Sequence, residues 1–173
     1  AASDVYKRQS VSTPDISYRF TRKEDTDTYH ITQRFQTPLH PVLHVNARKE
    51  KIRSVKVNGV PATWQSIESA HGYPLLSIQA EGTSSTTITI EWEGASLHTL
   101  AVQEPVITSN GKLALQIPSG ASISQVYDPQ SILANHTVEA TAFNAQIKGE
   151  PGHHTFFVYT HQGEMDWWQP VNI

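Results

Sequence analysis

In Thr86-Thr87-Ile88-Thr89-Ile90-Glu91-Trp92, the residues Ile88, Ile90 and Trp92 share one parity, and Thr87, Thr89 and Glu91 share the other. Successive side chains on a strand point to opposite faces, so this alternation marks a half-buried β-strand. The same period extends in both directions. Asp15 to Phe20 places Ile16, Tyr18 and Phe20 on one face, and Tyr29 to Phe35 alternates in the same way. Pro38 and Pro41 punctuate the chain before Val42-Leu43-His44-Val45. Ile52 to Val57 reads as a strand with Ile52, Val55 and Val57 inward, ending in Asn58-Gly59. Both residues of that dipeptide tolerate positive φ, which predicts a tight hairpin. The return strand is Val60 to Gln65, with Pro61 marking an edge or bulge. Leu75 to Gln79 follows, and Glu93-Gly94 closes the Thr86–Trp92 run.

Past Ala95 the pattern restarts. Val106 to Thr108 and Lys112 to Ile117 flank Asn110-Gly111, a second expected hairpin. Ile123 to Tyr127 runs into Asp128-Pro129, a turn signal, and Ser131 to Ala134 offers at most one helical turn. Val138 to Phe143 and Thr155 to Thr160 complete the set. No window carries an extended 3.6-residue stripe, so the expected class is all-β, an antiparallel β-sandwich. Two sandwich or immunoglobulin-like units are expected: a β-sandwich over residues 10–98 and an immunoglobulin-like unit over 100–165, with 166–173 starting a connection or strand. One large two-sheet sandwich is the alternative. The expected core includes Ile31, Val55, Val57, Ile78, Ile90, Leu115, Phe157 and Tyr159.

Composition narrows the function. The chain has 173 residues, ten prolines, nine glycines and a formal net charge of −3, a profile that suits a turn-rich β protein. A nucleic-acid surface would be basic and clustered, so no nucleic-acid partner is expected. No apolar run approaches membrane-spanning length. With no cysteine, disulfides, thiolate catalysis and zinc–thiolate sites are excluded.

Trp167-Trp168-Gln169-Pro170 is the leading candidate for a contact surface. Adjacent tryptophans on a strand face opposite sides, so one can be core while the other needs a partner or a ligand. Its ring could stack on a pyranose or pack against an absent domain. Val171-Asn172-Ile173 alternates like a strand that continues, which predicts that at least one of the two rings is substantially exposed. Trp64 and Trp92 fall on strand patterns and read as packing residues. Glu164 and Asp166 flank Met165; on one strand they would share a face, and paired carboxylates are what glycoside hydrolysis requires. Solvated strand-end charges are the plainer reading. Nine histidines raise metal binding, but His153-His154 points its rings apart, and the others lack zinc-site spacing. The acidic stretch Glu24-Asp25-Thr26-Asp27 reads as a loop whose Asp25 and Asp27 could hold a structural calcium; no other cofactor is expected. Asn135-His136-Thr137 fits a glycosylation sequon, relevant only in a eukaryotic secretory setting. No nucleophile elbow, phosphate loop or dinucleotide fingerprint is present.

Two resemblances add to this reading. Ala1-Ala2-Ser3-Asp4-Val5-Tyr6-Lys7-Arg8-Gln9 resembles a forward translation of the transposon-based adapter used in preparing DNA sequencing libraries. Residues 1–9 are then expected to be adapter-derived, or a disordered tail, lying outside any sheet. The natural N-terminus would be missing, and the chain would be a piece of something larger. Separately, Ser54 to Val60 with Trp64 and Pro74 to Ile78 resembles β-sandwich modules attached to large bacterial carbohydrate-active enzymes. Gly152 to Val158 and Gln162 to Val171 resemble the accessory β region of gut-bacterial proteins similar to α/α-toroid glycoside hydrolases. About half the chain is covered. The resemblance implies a non-catalytic accessory region of an exported parent enzyme, periplasmic, cell-surface or secreted. Its partners would be a helical catalytic domain of the same chain and polysaccharide. It supplies no catalytic residues. A carbohydrate-binding or adhesion module acting alone, and a small glycoside hydrolase using Glu164 and Asp166, remain the alternatives.

Overall fold

The computed structural model describes residues 7–98, 111–148 and 150–173, with Lys7 and Arg8 by backbone alone. Among these residues there are fifteen strands and no helix, and hence no helix long and apolar enough to cross a membrane. In chain order they are β1 (Lys7–Ser12), β2 (Ile16–Lys23), β3 (Thr26–Gln33), β4 (Val42–Asn46), β5 (Lys49–Val57), β6 (Val60–Pro61), β7 (Gln65–Ser66) and β8 (Leu75–Gln79). Then come β9 (Ser85–Ser96), β10 (Lys112–Gln116), β11 (Ala121–Tyr127), β12 (Leu133–Glu139), β13 (Ala142–Ile147), β14 (Thr155–Gln162) and β15 (Met165–Asn172). They form one six-stranded and three three-stranded sheets, and each ladder with a defined register is antiparallel. The chain is therefore all-β, with sheets consistent with sandwich packing.

The chain divides into two compact units. Unit 1 is Ala1–Ser66 with Leu76–Ser96; unit 2 is Leu97–Ile173 with Ile67–Leu75, which lies between two strands of unit 1 in sequence. The expected Val106–Thr108 strand, the Asn110 end of its hairpin and the boundary between the expected units at residues 99–100 lie outside the described residues.

Unit 1 is built on the sheet β1-β2-β3-β9-β5-β6. Its register lines up Phe20, Tyr29, Ile88 and Val57 across four strands, and Arg22, Asp27, Ile90 and Val55 in the next buried row. Each row follows from the two-residue period fixed by antiparallel pairing. A second sheet, β4-β8-β7, buries Val45, Leu76 and Ile78. Asn58 and Gly59 have φ of 50° and 80°, the left-handed pair that the β5–β6 hairpin requires. The expected return strand is broken, however: β6 spans only Val60–Pro61, and Trp64 sits partly buried before β7. β9 does not stop at Glu93-Gly94 but continues to Ser96 past a register shift in its partner. Gly94 carries φ +85° there, and a Cβ at that position would meet Glu50 Oε1 at 2.5 Å.

The expectation that residues 1–9 lie outside any sheet fails at its end. Lys7, Arg8 and Gln9 pair with Arg22, Thr21 and Phe20. A sheet edge offers unpaired backbone N–H and C=O groups that any extended segment can satisfy, whatever its side chains.

The acidic stretch also departs from expectation. Only Glu24 and Asp25 form the turn; Thr26 and Asp27 open β3, and Asp27 points into the buried face, 1% exposed. Its Oδ1 accepts from Arg22 Nε at 2.7 Å and Arg48 Nη1 at 3.0 Å. Its Oδ2 accepts from Arg22 Nη2 at 3.0 Å and Trp92 Nε1 at 3.1 Å. Asp25 is half exposed and meets Lys49 Nζ at 2.7 Å and Arg48 Nη2 at 3.5 Å; the hydrogen bond from Lys49 holds its carboxyl below the usual range. Calcium would have to displace these cations from both carboxylates. An ionised carboxylate taken out of water costs several kcal/mol unless it is paired and its lone pairs are filled, and four donors meet that demand at Asp27. Beside it, burial raises the Tyr29 phenol far above its ordinary 10.0, with the Asp27 charge adding to the rise, and Tyr18 is raised for the same two reasons.

Unit 2 packs the sheet β10-β13-β12 and the sheet β11-β14-β15 around one cluster that includes Leu113, Ile123, Ile132, Phe143, Phe156, Val158 and Val171. The run Val138 to Phe143, expected to be one strand, is a hairpin: β12 and β13 meet at an Ala140-Thr141 turn. Residues 166–173, expected as the start of a connection or strand, form most of β15 and continue to Ile173, whose backbone exchanges two 2.9 Å bonds with His154. Of the expected core, Ile31, Val55, Ile78 and Ile90 are buried; Val57 and Leu115 are partly so. Phe157 and Tyr159 belong to the opposite parity, because β14 buries Phe156, Val158, Thr160 and Gln162.

Two outcomes test this account of unit 1. Asp27→Ala removes the buried acceptor shared by two guanidinium groups and an indole, and we expect a loss of about 3–5 kcal/mol in chemical denaturation. Asp25→Ala, at a half-exposed pair, should cost no more than about 1 kcal/mol. Equal losses would show that Asp27 is not the anchor. The second concerns alkali. Tyr29 and Tyr18 hold their protons more tightly when folded, so their contribution is intact below the unfolded pKa of 10.0 and is lost as pH rises beyond it. Stability should therefore fall from about pH 10 upward, and less steeply in Tyr29→Phe. An identical alkaline slope in that variant would refute the assignment.

Candidate functional site

β14 pairs with β15 without interruption, so Tyr159 sits opposite Trp168, Thr160 opposite Trp167 and His161 opposite Asp166. This register separates the two tryptophans. Trp167 is completely buried, its Nε1 donating to Gln169 Oε1 at 3.2 Å. Trp168 takes the outer face and is partly buried there, so the expected substantially exposed ring is absent. Tyr159 covers it at a centroid distance of 5.0 Å, and Tyr127 meets it edge-on at 6.4 Å.

Tyr127 reaches that face because of a β-bulge. Ala121 and Ile123 point inward on β11, and strict alternation would turn Tyr127 inward too. The register with β14 shifts between Ile123 and Gln125, which leaves Val126 against the core and Tyr127 outward, 57% exposed. One extra residue has reversed the parity, as bulges do. Tyr127 stacks on Phe157 with centroids 6.2 Å apart and planes 30° apart, and His71 meets Phe157 edge-on at 5.5 Å. His71 is carried by Ile67–Leu75, which bonds to the free side of β15: Trp168 N donates to the Ala70 carbonyl and Gly72 N to the Trp168 carbonyl, both at 2.8 Å.

The outer face of β11-β14-β15 thus carries Tyr127, Phe157, Tyr159 and Trp168 as a connected set of rings, with His71 and Pro170 beside them. Polar groups border it. His161 Nδ1 lies 2.7 Å from Asp166 Oδ1; a carboxylate only accepts, so Nδ1 carries the proton. Burial raises the Tyr159 phenol, and the charges of Asp166 and Glu68 push it in the same direction. It is a neutral hydroxyl throughout the physiological range, able to donate and accept. Rings interleaved with hydroxyl, imidazole and carboxylate groups suit a ligand with both C–H faces and hydroxyls.

The other candidates fare differently. Glu164 is exposed at the Gly163-Glu164 turn rather than on a strand beside Asp166, so the two carboxylates do not share a strand face. His153 is exposed, and the His154 ring is tied to the Glu150 carbonyl at 2.6 Å. Among the described residues no three or more His, Asp or Glu side chains are grouped to hold a metal. Asn135 of the sequon is exposed on β12 with φ +47°, at a second register shift. Unit 1 has an open groove of about 480 Å³ lined by Val42, Val57, Val60, Pro61, His40 and Gln79. Its walls are mostly aliphatic, and no Trp, Tyr or Phe lines it. Trp168 was legible in the sequence; Tyr127 was not, since the β11 bulge has no glycine or proline to mark it, and Phe157 and Tyr159 read as core because both parities of β14 are apolar.

No family model, no curated protein and no solved structure matches the chain.

The geometry sets an order of stabilities. Trp167→Ala should cost about 3–5 kcal/mol, as for a large ring removed from a closed core. Trp168→Ala should cost clearly less, and Tyr127→Ala, more than half exposed, less than about 1 kcal/mol. If Trp168→Ala proves as damaging as Trp167→Ala, the outer face is core rather than surface.

Proposed function

We propose that this chain is a non-catalytic β-sandwich accessory region of a larger, exported carbohydrate-active enzyme, and that the aromatic face of unit 2 is where it meets glycan. The observation that carries this is the connected row of Tyr127, Phe157, Tyr159 and Trp168 on one sheet face. A pyranose presents axial C–H bonds to the negative face of such rings and hydroxyls to the polar groups around them. The likeness of the Ser54–Val60 and Gln162–Val171 stretches to accessory regions of carbohydrate-active enzymes supports the wider setting. Packing against a helical catalytic domain is less favoured for Trp167 and Trp168, because each finds its partners inside unit 2. A binding module acting alone would use the same face; flanking gene sequence separates the two architectures.

Affinity electrophoresis through gels containing soluble polysaccharides, paired with a reducing-sugar assay, tests the reading. Migration should be retarded by at least one polysaccharide without release of reducing ends, and Tyr127→Ala should relieve the retardation. Release of reducing ends that is lost in Asp166→Asn would instead establish a small hydrolase. Retardation unchanged in Tyr127→Ala would place the contact elsewhere.

A further inference from the structure

We infer that the aromatic face of unit 2 selects uncharged glycans and rejects anionic ones, an inference that rests on the glycan-contact reading above. The strands β11, β14 and β15 and the segment Ile67–Leu75 contain no lysine or arginine. The ionisable acids they and their adjoining turns carry are Glu68, Asp128, Glu164 and Asp166. Asp166 borders the rings through His161, and Glu68 lies close enough, with Asp166, to act on the Tyr159 phenol. The lysines of the described part of unit 2, Lys112 and Lys148, fall on β10 and just past β13, in the other sheet. A uronate or sulfate seated on the rings would face carboxylates with no guanidinium or ammonium on the described strands of this sheet or on Ile67–Leu75 to pair with, and like charges brought together oppose binding. A neutral sugar escapes that repulsion. Its hydroxyls can donate to the carboxylates and accept from Tyr127, Tyr159 and the Trp168 indole N–H.

The full chain is to be run through gels containing neutral polymers (a galactomannan, a mixed-linkage glucan, an arabinoxylan) and anionic ones (polygalacturonate, chondroitin sulfate) at low salt. Retardation is expected from one or more neutral polymers and from neither anionic one. Tyr127→Ala, with its melting temperature held, should weaken the neutral interaction about tenfold, the loss of one stacking ring. Glu68→Lys should admit polygalacturonate in low salt while neutral binding persists. Wild-type retardation by polygalacturonate or chondroitin sulfate equal to or above that by the neutral polymers overturns the charge selection and leaves the glycan reading standing. Retardation by none of the five overturns the glycan reading, and the selection with it.

Discussion

The uninterrupted pairing of Thr155–Gln162 with Met165–Asn172 is the constraint from which the aromatic face of unit 2 follows. Side chains on a strand alternate, and one face of this ladder must close the core around Phe156, Val158 and Val171. Trp167 is committed to the buried side by that demand, and Trp168 to the other. Tyr159 and Phe157 follow by the same parity. A one-residue slip would invert all four positions. The bulge in β11 then adds Tyr127 to a face from which strict alternation would exclude it. Without the bulge the rings of Trp168 and Phe157 would lose the neighbour that joins them.

Unit 1 meets its own parity at a higher cost. The row that contains Ile90 and Val55 also contains Asp27, so a carboxylate is buried where an aliphatic side chain would fit. Arg22 from β2, Arg48 before β5 and Trp92 from β9 converge on it. Four donors from three separate segments fix the relative placement of those strands, because any slip leaves a charge unpaired in a low-dielectric site. Replacing such a network with apolar residues can be neutral or stabilising, so its presence is weak grounds for added stability. Tyr29, buried beside this carboxylate, shares its poorly solvated setting.

Much of the fold was legible because hydrophobic period and turn chemistry are local. Ile88, Ile90 and Trp92 lie on one face of β9, and Asn58-Gly59 forms its hairpin with both φ values positive. The separation of Trp167 from Trp168 also followed from period alone. What escaped depends on partners distant in sequence. Asp27 read as a loop acid because its neighbours are acidic; only Arg22, Arg48 and Trp92 explain its burial. Phe157 and Tyr159 read as core because both parities of β14 are apolar, and only the opposing sheet decides between them. Lys7 to Gln9 carry no strand pattern and enter a sheet through backbone bonds that side chains do not encode.

On the proposed function, the outer face of β11-β14-β15 is a glycan surface centred on Trp168. The chain has four tryptophans and hence four indole N–H resonances in a ¹⁵N correlation spectrum. Titration with a soluble neutral oligosaccharide should shift the Trp168 resonance saturably and leave those of Trp92 and Trp167 in place, since both are buried. A titration in which Trp64 moves and Trp168 does not, or in which none of the four moves, would contradict the account.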